Sequence, residues 1–415
     1  MDELRKTPGV YVEELPAFPP SIVGVATAVP AFIGYSEKAI EPDSGRSLAN
    51  LPTQIASLTD YQTLFGAGWT GDATKVAPIL WESLAMFFGN GGGSCYVVSV
   101  GSFADFTADL GEAGLAPQRL HAGLDALARL SGPTLLVAPD ALAMAEADYY
   151  PFACAMVNQG ATLQDRFAIL DVPGGRDPAN DTPALIEAAT ASFRAGINLA
   201  GDARSYGASY FPYLDAVIGG NRRIMPASPA MAGLYADTDT SRGVWNPPAN
   251  LSVAMVEGVT IPINDDEQGD MNMPLDGLAV NAIRLFAGRG VVVWGARTLD
   301  GNSNDYRYIQ VRRTLIYIEQ SIKAALQSFV FAANTPQTWA SVDAMISNFL
   351  TGLWQQGGLM GDKASDAFQV SIGLGSTMTG QDMLDDVMRL SVKLQMIHPA
   401  EFIVLDFSQQ MAGSD

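Results

Sequence analysis

The sequence is poor in charge, in histidine and in cysteine. Charged residues make up 16% of its 415 residues, and it contains two histidines and two cysteines. Because histidine is the commonest acid–base and metal-binding side chain, this scarcity argues against a catalytic or metal-binding centre built on it. Cys95 and Cys154 lie far apart in apolar surroundings, which favours buried free thiols over a single disulfide bridge.

The sequence also lacks the short motifs that mark nucleotide, metal and hydrolase sites. The glycine-rich stretch 89–94 resembles a phosphate-binding loop only in its glycine content. It lacks the Gly-Lys-Ser/Thr ending of such a loop and precedes a predicted strand instead of a helix, so we interpret it as a helix stop followed by a turn. The stretch 237–241 resembles a calcium loop, but Arg242 occupies the position where such a loop needs glycine. We therefore predict a turn there, and a solvated acidic loop at 265–270. The absences together predict a protein that is not an enzyme and has no cofactor and no metal site.

Long apolar runs and an excess of positive charge are missing as well. No stretch approaches the ~18 apolar residues of a membrane span, and the N-terminus lacks the apolar region of a secretory signal. The net charge of −20 disfavours nucleic acid, whose binding relies on lysine and arginine. These features predict a chain made in the cytoplasm and kept there or released by lysis, with no nucleic-acid partner and no membrane insertion.

Short apolar strands alternate with amphipathic helices through most of the chain, which predicts a mixed α/β fold of two or three domains. The predicted strands are 95–100, 134–138, 167–172, 210–218, 291–294, 368–372 and 392–396. The predicted helices are 75–88, 121–130, 141–156, 183–195, 308–331, 338–354 and 382–390. The proline-rich stretch 220–275 is predicted to be irregular and to contain the domain boundary. Arg312 and Arg313 point apart on the long helix, so we expect one to pair with a core acid and the other to face solvent.

The two chain ends are predicted to be extended. Four prolines exclude a helix in residues 1–20, where Val10, Tyr11 and Val12 alternate as in a strand. Near the other end, both faces of the segment 402–407 are apolar. A terminal strand this apolar needs a sheet, which is either the chain's own sheet or that of another copy.

Several motifs resemble those of contractile tail sheath proteins, and most closely those of extracellular, phage-tail-like injection particles. The motifs, in chain order, are TPGVYVEE at 7–14, FPPSI at 18–22, TAVPAFIGY at 27–35, AGLYADTD at 232–239, RGVWNPPAN at 242–250, GVVVWGARTL at 290–299, YIQVRR at 308–313 and PAEFI at 399–403. The resemblance runs from the first motif to the last and is weakest between about 100 and 200.

The resemblance implies a domain plan and two kinds of contact. Residues 1–20 would be an N-terminal arm, 21–275 an outer α/β domain, 276–397 an inner α/β sheath domain completed by the N-terminal arm, and 398–415 a C-terminal arm. The arms would add strands to sheets of neighbouring subunits, through the residues Val10, Tyr11, Val12, Phe402, Ile403, Val404, Leu405 and Phe407. A helix at 381–389 would contact the inner tube through Asp382, Asp385, Asp386 and Arg389. His398 stands where relatives commonly have a basic residue, and many relatives have a glycine near Val387.

The function implied is that of a structural sheath subunit. It would polymerise in six-fold rings around an inner tube, with baseplate and terminal cap proteins as further partners, and contract to drive the tube through a target envelope. Two alternatives remain. One is a tube or baseplate component of the same machine, and the other is a cytoplasmic α/β enzyme that uses a nucleotide.

Overall fold

The computed structural model describes residues 21–71 and 76–402. Within this part, the chain forms two compact units. The larger unit comprises residues 26–317 and returns at 397–402, and the smaller unit comprises residues 318–396 together with 21–25.

The larger unit contains fourteen strands among its described residues. They are β1 (Pro30–Ser36), β2 (Thr53–Ile55), β3 (Cys95–Ser102), β4 (Leu110–Gly111), β5 (Gly114–Leu115), β6 (Leu135–Val137), β7 (Phe167–Asp171), β8 (Gly207–Phe211), β9 (Leu214–Ile218), β10 (Asn221–Met225), β11 (Leu251–Ser252), β12 (Val256–Val259), β13 (Asn281–Phe286) and β14 (Gly290–Val293). The smaller unit adds β15 (Phe368–Ile372) and β16 (Leu390–Leu394).

The α-helices follow the same chain order. They are α1 (Leu58–Phe65), α2 (Leu80–Gly89), α3 (Phe103–Asp109), α4 (Gln118–Leu127), α5 (Glu146–Leu163), α6 (Pro183–Gly196), α7 (Ser228–Arg242), α8 (Asp265–Asn272), α9 (Ile309–Leu326), α10 (Pro336–Gln355), α11 (Ala364–Ala367) and α12 (Gly380–Leu384). Helix α9 begins in the larger unit and ends in the smaller one.

A nine-stranded sheet forms the centre of the larger unit, in the order β11-β14-β13-β8-β7-β6-β1-β3-β2. The six strands from β13 to β3 run parallel, and the strands β14, β11 and β2 at the two ends are antiparallel. Parallel strands need crossover helices, which explains the alternation of strands and helices in the sequence. The predicted α/β fold class is confirmed.

Helices cover both faces of this sheet, so its central strands are apolar on both sides. In β1, Phe32 packs into one hydrophobic cluster with residues of α1, α2 and α7, whereas Ile33 packs into the other with residues of α4, α5 and α6. Val97 and Val98 divide in the same way on β3. Neighbouring residues on a strand point to opposite faces, and each face therefore has its own core.

The stretch predicted to be irregular contains much regular structure, and this prediction was wrong. Helix α7 runs for 15 residues and includes the predicted turn at 237–241, and α8 covers the predicted acidic loop at 265–270. Helix α7 packs on α2, and a Cβ atom on Gly233 would lie 2.5 Å from the carbonyl oxygen of Phe87. Its small residues are buried on almost every side of the helix, so the sequence shows no amphipathic stripe from which the helix could be predicted.

The boundary between the compact units also differs from the predicted domain boundary at 275/276. Strands β13 and β14 pair into the nine-stranded sheet, so residues 276–317 pack with the larger unit and the boundary lies at 317/318. The assignment of outer and inner domains in an assembly stays a prediction.

Several local predictions hold. Both cysteines are buried free thiols. Helix α2 ends at Gly89, and a turn leads into β3 at Cys95. Arg313 pairs with Asp239 in the core, at 2.5 and 2.9 Å. Its neighbour Arg312 was expected to face solvent, and this was wrong, because its guanidinium lies buried between two tyrosine rings.

Candidate functional site

The smaller unit contains a two-stranded antiparallel sheet that packs against helix α10. Strands β15 and β16 pair in an unbroken register from Phe368 opposite Leu394 to Ile372 opposite Leu390. No third strand joins them among residues 21–71 and 76–402, apart from a single bridge between Leu359 and Met396. Because an isolated pair of strands is marginally stable in water, this sheet is suited to accept further strands at its edges.

Helix α10 forms the apolar side of this unit. Val342, Met345, Ile346 and Leu350 recur at helical spacing and are buried, as the sequence pattern predicts. This buried stripe belongs to the helix that packs against β15.

The C-terminal segment is anchored to the larger unit immediately before the predicted arm strand. Both carboxylate oxygens of Glu401 accept hydrogen bonds from Arg297, whose Nε lies 3.0 Å from Oε1 and whose Nη2 lies 2.6 Å from Oε2. Asn272 donates to Oε1 at 2.7 Å, and the Tyr308 hydroxyl donates to Oε2 at 3.1 Å. Arg297 is almost fully buried and also donates to the carbonyl of Gly301. This arrangement ties the segment to a fixed point near the end of β14.

The electrostatics of this anchor favour the ionised carboxylate. Burial disfavours the charge on Glu401, but the hydrogen bonds from Arg297 and Asn272 outweigh burial and lower the pKa of that carboxyl. The ring of His398 meets the ring of Tyr308 edge-on, with centroids 5.7 Å apart. The histidine that departs from the family pattern therefore lies beside the anchor.

Of the predicted arm residues, only Phe402 lies within the described residues. It is 68% exposed, directly after the buried anchor. The other predicted arm residues lie outside the described residues: Val10, Tyr11, Val12, Ile403, Val404, Leu405 and Phe407. Their role stays a prediction.

The predicted tube-contact helix is shorter than expected. Helix α12 ends at Leu384, and Asp386 follows with a left-handed backbone, φ 56°. The amide of Val387 donates to the carbonyl of Asp382 at 2.8 Å, which closes the helix as a C-terminal cap. The prediction of a helix through 389 was wrong, because this cap turns the chain toward β16.

Two of the four predicted contact residues bind each other. Asp382 accepts from Arg389 Nε at 2.7 Å and also caps α12 with Thr379. The hydrogen bonds from Arg389 and then from Thr379 hold the pKa of Asp382 well below its ordinary value. Asp385 and Asp386 are exposed, beside Leu384, whose exposure is 78%. At the end of α12, the negative charge that is not paired with Arg389 therefore belongs to Asp385 and Asp386.

Sequence reasoning missed the anchor as a site. Glu401 and Arg297 both stand in motifs that carry the family resemblance, but 104 residues separate them. The signals that could have indicated a buried pair are a lone glutamate in an apolar terminal segment and a lone arginine after a buried strand.

Neither a metal cluster nor a membrane-spanning helix is present in the described part of the chain. No group of three or more histidine, cysteine, aspartate or glutamate side chains there is arranged to hold a metal ion. No helix in the described ranges is long and apolar enough to cross a membrane.

Comparison with known proteins identifies the family. Residues 302–410 match the phage tail sheath C-terminal domain. The chain is 33% identical to the sheath protein in the PVC sheath complex, an extracellular contractile injection system in its contracted state. That match covers 98% of this chain and 99% of the other, with a TM-score of 0.71. The chain belongs to the contractile sheath protein family. The predicted membership is thereby confirmed.

Two further relatives come from an injection particle and from a phage tail. It is 32% identical to the sheath protein of the anti-feeding prophage helical sheath in its contracted state, over 98% of this chain and 99% of that one, with a TM-score of 0.71. It is 28% identical over 137 residues to the tail sheath protein of Vibrio phage KVP40. That match covers 33% of this sheath protein but 20% of the phage protein.

Proposed function

We propose that this chain is a non-enzymatic subunit that polymerises with copies of itself into a helical sheath around an inner tube and contracts to drive the tube through a target envelope. The observation that carries the proposal is the two-stranded sheet of β15 and β16, whose edges lack partner strands among the described residues. Head-to-tail contacts that do not close into a ring build helical assemblies of this kind. Assembly takes place in the cytoplasm, with tube, baseplate and terminal cap proteins as partners.

The terminal arms connect the subunits. The N-terminal strand around Val10, Tyr11 and Val12 and the C-terminal strand from Phe402 to Phe407 pair with the open edges of β15 and β16 in neighbouring copies. Main-chain hydrogen bonds supply the affinity in such strand addition, so the links survive large rigid-body movements of the domains that they join. The Glu401 anchor supports this role, because it holds the root of the C-terminal arm and passes force from the arm to the larger unit.

Contraction needs no nucleotide in this proposal. The extended sheath is metastable and is held by a kinetic barrier, which triggering at the baseplate removes. Subunits then rotate and bury more surface against one another, and the free energy released moves the tube. A nucleotide that raised the melting temperature would instead support the alternative of a nucleotide-using enzyme.

Deletion of either arm tests the proposal. Chains lacking residues 1–14 or 402–415 are expected to fold, with unchanged melting of the larger unit, and to form no sheaths in negative-stain micrographs. Deletion of 411–415 alone, which removes the last residues beyond the apolar strand, is the matched control and is expected to leave sheath formation intact. Normal sheaths from either arm deletion would contradict the proposal.

The exposed acids after α12 are the proposed contact with the tube. Asp385 and Asp386 lie beside the exposed Leu384, so they combine charge with apolar area at one surface. Asp385→Lys with Asp386→Lys is expected to abolish co-sedimentation of sheath and tube without changing the melting temperature. Asp362→Lys, an exposed acid of the same unit, is the control. Equal co-sedimentation of the double variant and the control would exclude this surface.

A position in the baseplate is the second candidate. A chain 32% identical to this one, with a TM-score of 0.74, belongs to the six-fold symmetrised baseplate structure of the anti-feeding prophage. Gold labelling of a C-terminal tag on whole particles distinguishes the two, because a sheath subunit is labelled along the particle and a baseplate component at one end.

A further inference from the structure

A cavity of about 260 Å³ lies within the larger unit, where residues that follow the carboxyl ends of β6, β7 and β8 line it together with the start of α2. The chain passes from β1 to β3 on one side of β1 and later returns to β6 on its other side, so the direction of winding reverses between β1 and β6. Asp140 in the cavity lining is hydrogen-bonded to the amide of Tyr35 in β1, so the cavity lies beside this reversal. Open α/β sheets bind ligands in the crevice at such a reversal. The place of this cavity in the topology is therefore that of a ligand site.

Two buried carboxylates form the inner wall of the cavity. Asp140, directly after β6, accepts from the amide of Tyr35 and from the amide of Ile79, each at 2.7 Å. Glu82, in the first turn of α2, is 6% exposed. Its Oε2 atom is buried and has no hydrogen-bond partner among the described residues. A buried carboxylate oxygen without a donor is costly, so this atom is placed to receive one from a ligand.

A buried donor also lacks a partner in the same cavity. The indole Nε1 of Trp69 is enclosed and has no acceptor in the described part of the chain. The ring of Trp69 adds an aromatic wall, a surface that attracts organic cations. The ligand must therefore present a donor to Glu82 and an acceptor to Trp69.

The charges select the ligand further. Burial raises the pKa of Asp140 to about 7 and also raises the pKa of Glu82, where the charge of Arg223 opposes the rise without cancelling it. Arg222 is already paired with Asp215, whereas Arg176 and Arg223 line the cavity without an ion pair within the described ranges. The lining thus combines two buried carboxylates with two arginines that have no ion pair among the described residues, and Arg223 lies near enough to Glu82 to act on its charge.

Other ligand classes fit less well. The carboxylate of Asp140 already accepts the hydrogen bond of the Ile79 amide at the start of α2. Its negative charge would repel a phosphate group there. A calcium ion takes six to eight oxygen ligands, and no group of three metal-binding side chains occurs among the described residues.

We propose that this cavity binds a small molecule that joins an ammonium or guanidinium group to an acceptor such as a carboxylate, the composition of a basic amino acid. The cationic group donates to Glu82 Oε2 and faces Asp140. The acceptor receives the Trp69 N–H and lies near Arg176 and Arg223. The same chemistry is available from a free amino acid and from a basic side chain of a neighbouring copy.

The test uses the full-length chain and L-arginine as the probe, with binding measured by calorimetry. Citrulline, which has the same shape but a neutral head, is the matched ligand. We expect arginine to bind about 10- to 100-fold more tightly than citrulline, the range of one charged hydrogen bond. Glu82→Gln is expected to abolish that difference, whereas the exposed Glu112→Gln is expected to retain it. Equal affinity for both ligands, no binding of arginine, or full binding by Glu82→Gln would overturn the proposal.

A fluorescence measurement makes the result independent of whether Glu82→Gln folds. Arginine is expected to change the tryptophan fluorescence of the wild-type chain and to change it much less in Trp69→Phe. An identical change in Trp69→Phe would exclude this cavity. In assembled sheaths, lost arginine binding identifies a neighbour's side chain as the natural occupant, and retained binding identifies a free molecule.

Discussion

The nine-stranded sheet of the larger unit and the two-stranded sheet of the smaller unit differ in their edge strands. The large sheet ends in β2 and β11, which have three and two residues, and short edge strands offer little to a partner. In the small sheet, both five-residue strands are edges among the described residues. One chain thus contains a sheet with very short edge strands and a second sheet in which every strand is an edge among the described residues.

The difference implies that damage to the two sheets has different consequences. Changes in the large sheet are expected to destabilise the isolated chain. Changes at the edges of the small sheet are expected to act on assembly, with little effect on the isolated chain. The predictions below test this contrast, from the largest expected effect to the smallest.

Truncation of a core residue of the large sheet is expected to have the largest effect on the isolated chain. Phe32→Ala removes a fully buried ring that packs against Phe87 and is expected to lower the free energy of unfolding by about 3–5 kcal/mol. Urea unfolding measures the loss. Lys393→Ala on the exposed face of β16 is the comparison, with an expected change within about 0.5 kcal/mol. Equal effects of the two changes would contradict the contrast.

Removal of the Glu401 carboxylate is expected to destabilise the larger unit less than Phe32→Ala does. Glu401→Ala leaves Arg297 buried without its carboxylate, but the hydrogen bond to Gly301 remains and Glu401 itself is partly exposed. We expect a loss of about 2–3 kcal/mol in urea unfolding. The C-terminal segment is also expected to be cleaved faster by protease. If cleavage is as slow as in the wild type, Glu401 does not hold the root of the arm.

Two helical glycines provide a matched pair across the units. Gly233→Ala on α7 places a Cβ atom 2.5 Å from the carbonyl oxygen of Phe87, and overpacking of this kind costs about 1–3 kcal/mol. Gly352→Ala on α10 meets nothing within 4 Å and is expected to stabilise by about 0.5–1 kcal/mol, because alanine is the better helix former. Melting temperatures are expected to shift in opposite directions, and a shift of the same sign in both would refute the packing of α7 on α2.

The pH dependence of the anchor is the smallest expected effect. The folded pKa of Glu401 is lowered, so its contribution to stability is present above the ordinary glutamate pKa of about 4.3 and is lost as the pH falls through the folded value. The melting temperature of the wild type is expected to exceed that of Glu401→Gln at pH 7. That difference in melting temperature is expected to shrink at pH 3. A difference that grows at pH 3 would contradict a lowered pKa of Glu401 in the folded state.

The sequence alone determined the fold class, the short apolar strands between helices and the helical stripe of α10. These features depend on residues close in sequence, such as Phe32 beside Ile33 or Val342 beside Met345 and Ile346, and local periodicity records them. The family motifs likewise predicted the sheath family without any knowledge of contacts.

The tertiary structure alone decided which distant residues meet. Helix α7 was missed because Ala230, Ala232 and Gly233 are buried on several sides, which leaves no periodic stripe. Glu401 meets Arg297 across 104 residues, and Glu82 meets the cavity at the reversal of the sheet. These contacts depend on how whole helices and strands pack against one another. A sequence pattern indicates that a residue is buried, but it does not indicate which distant residue packs against it.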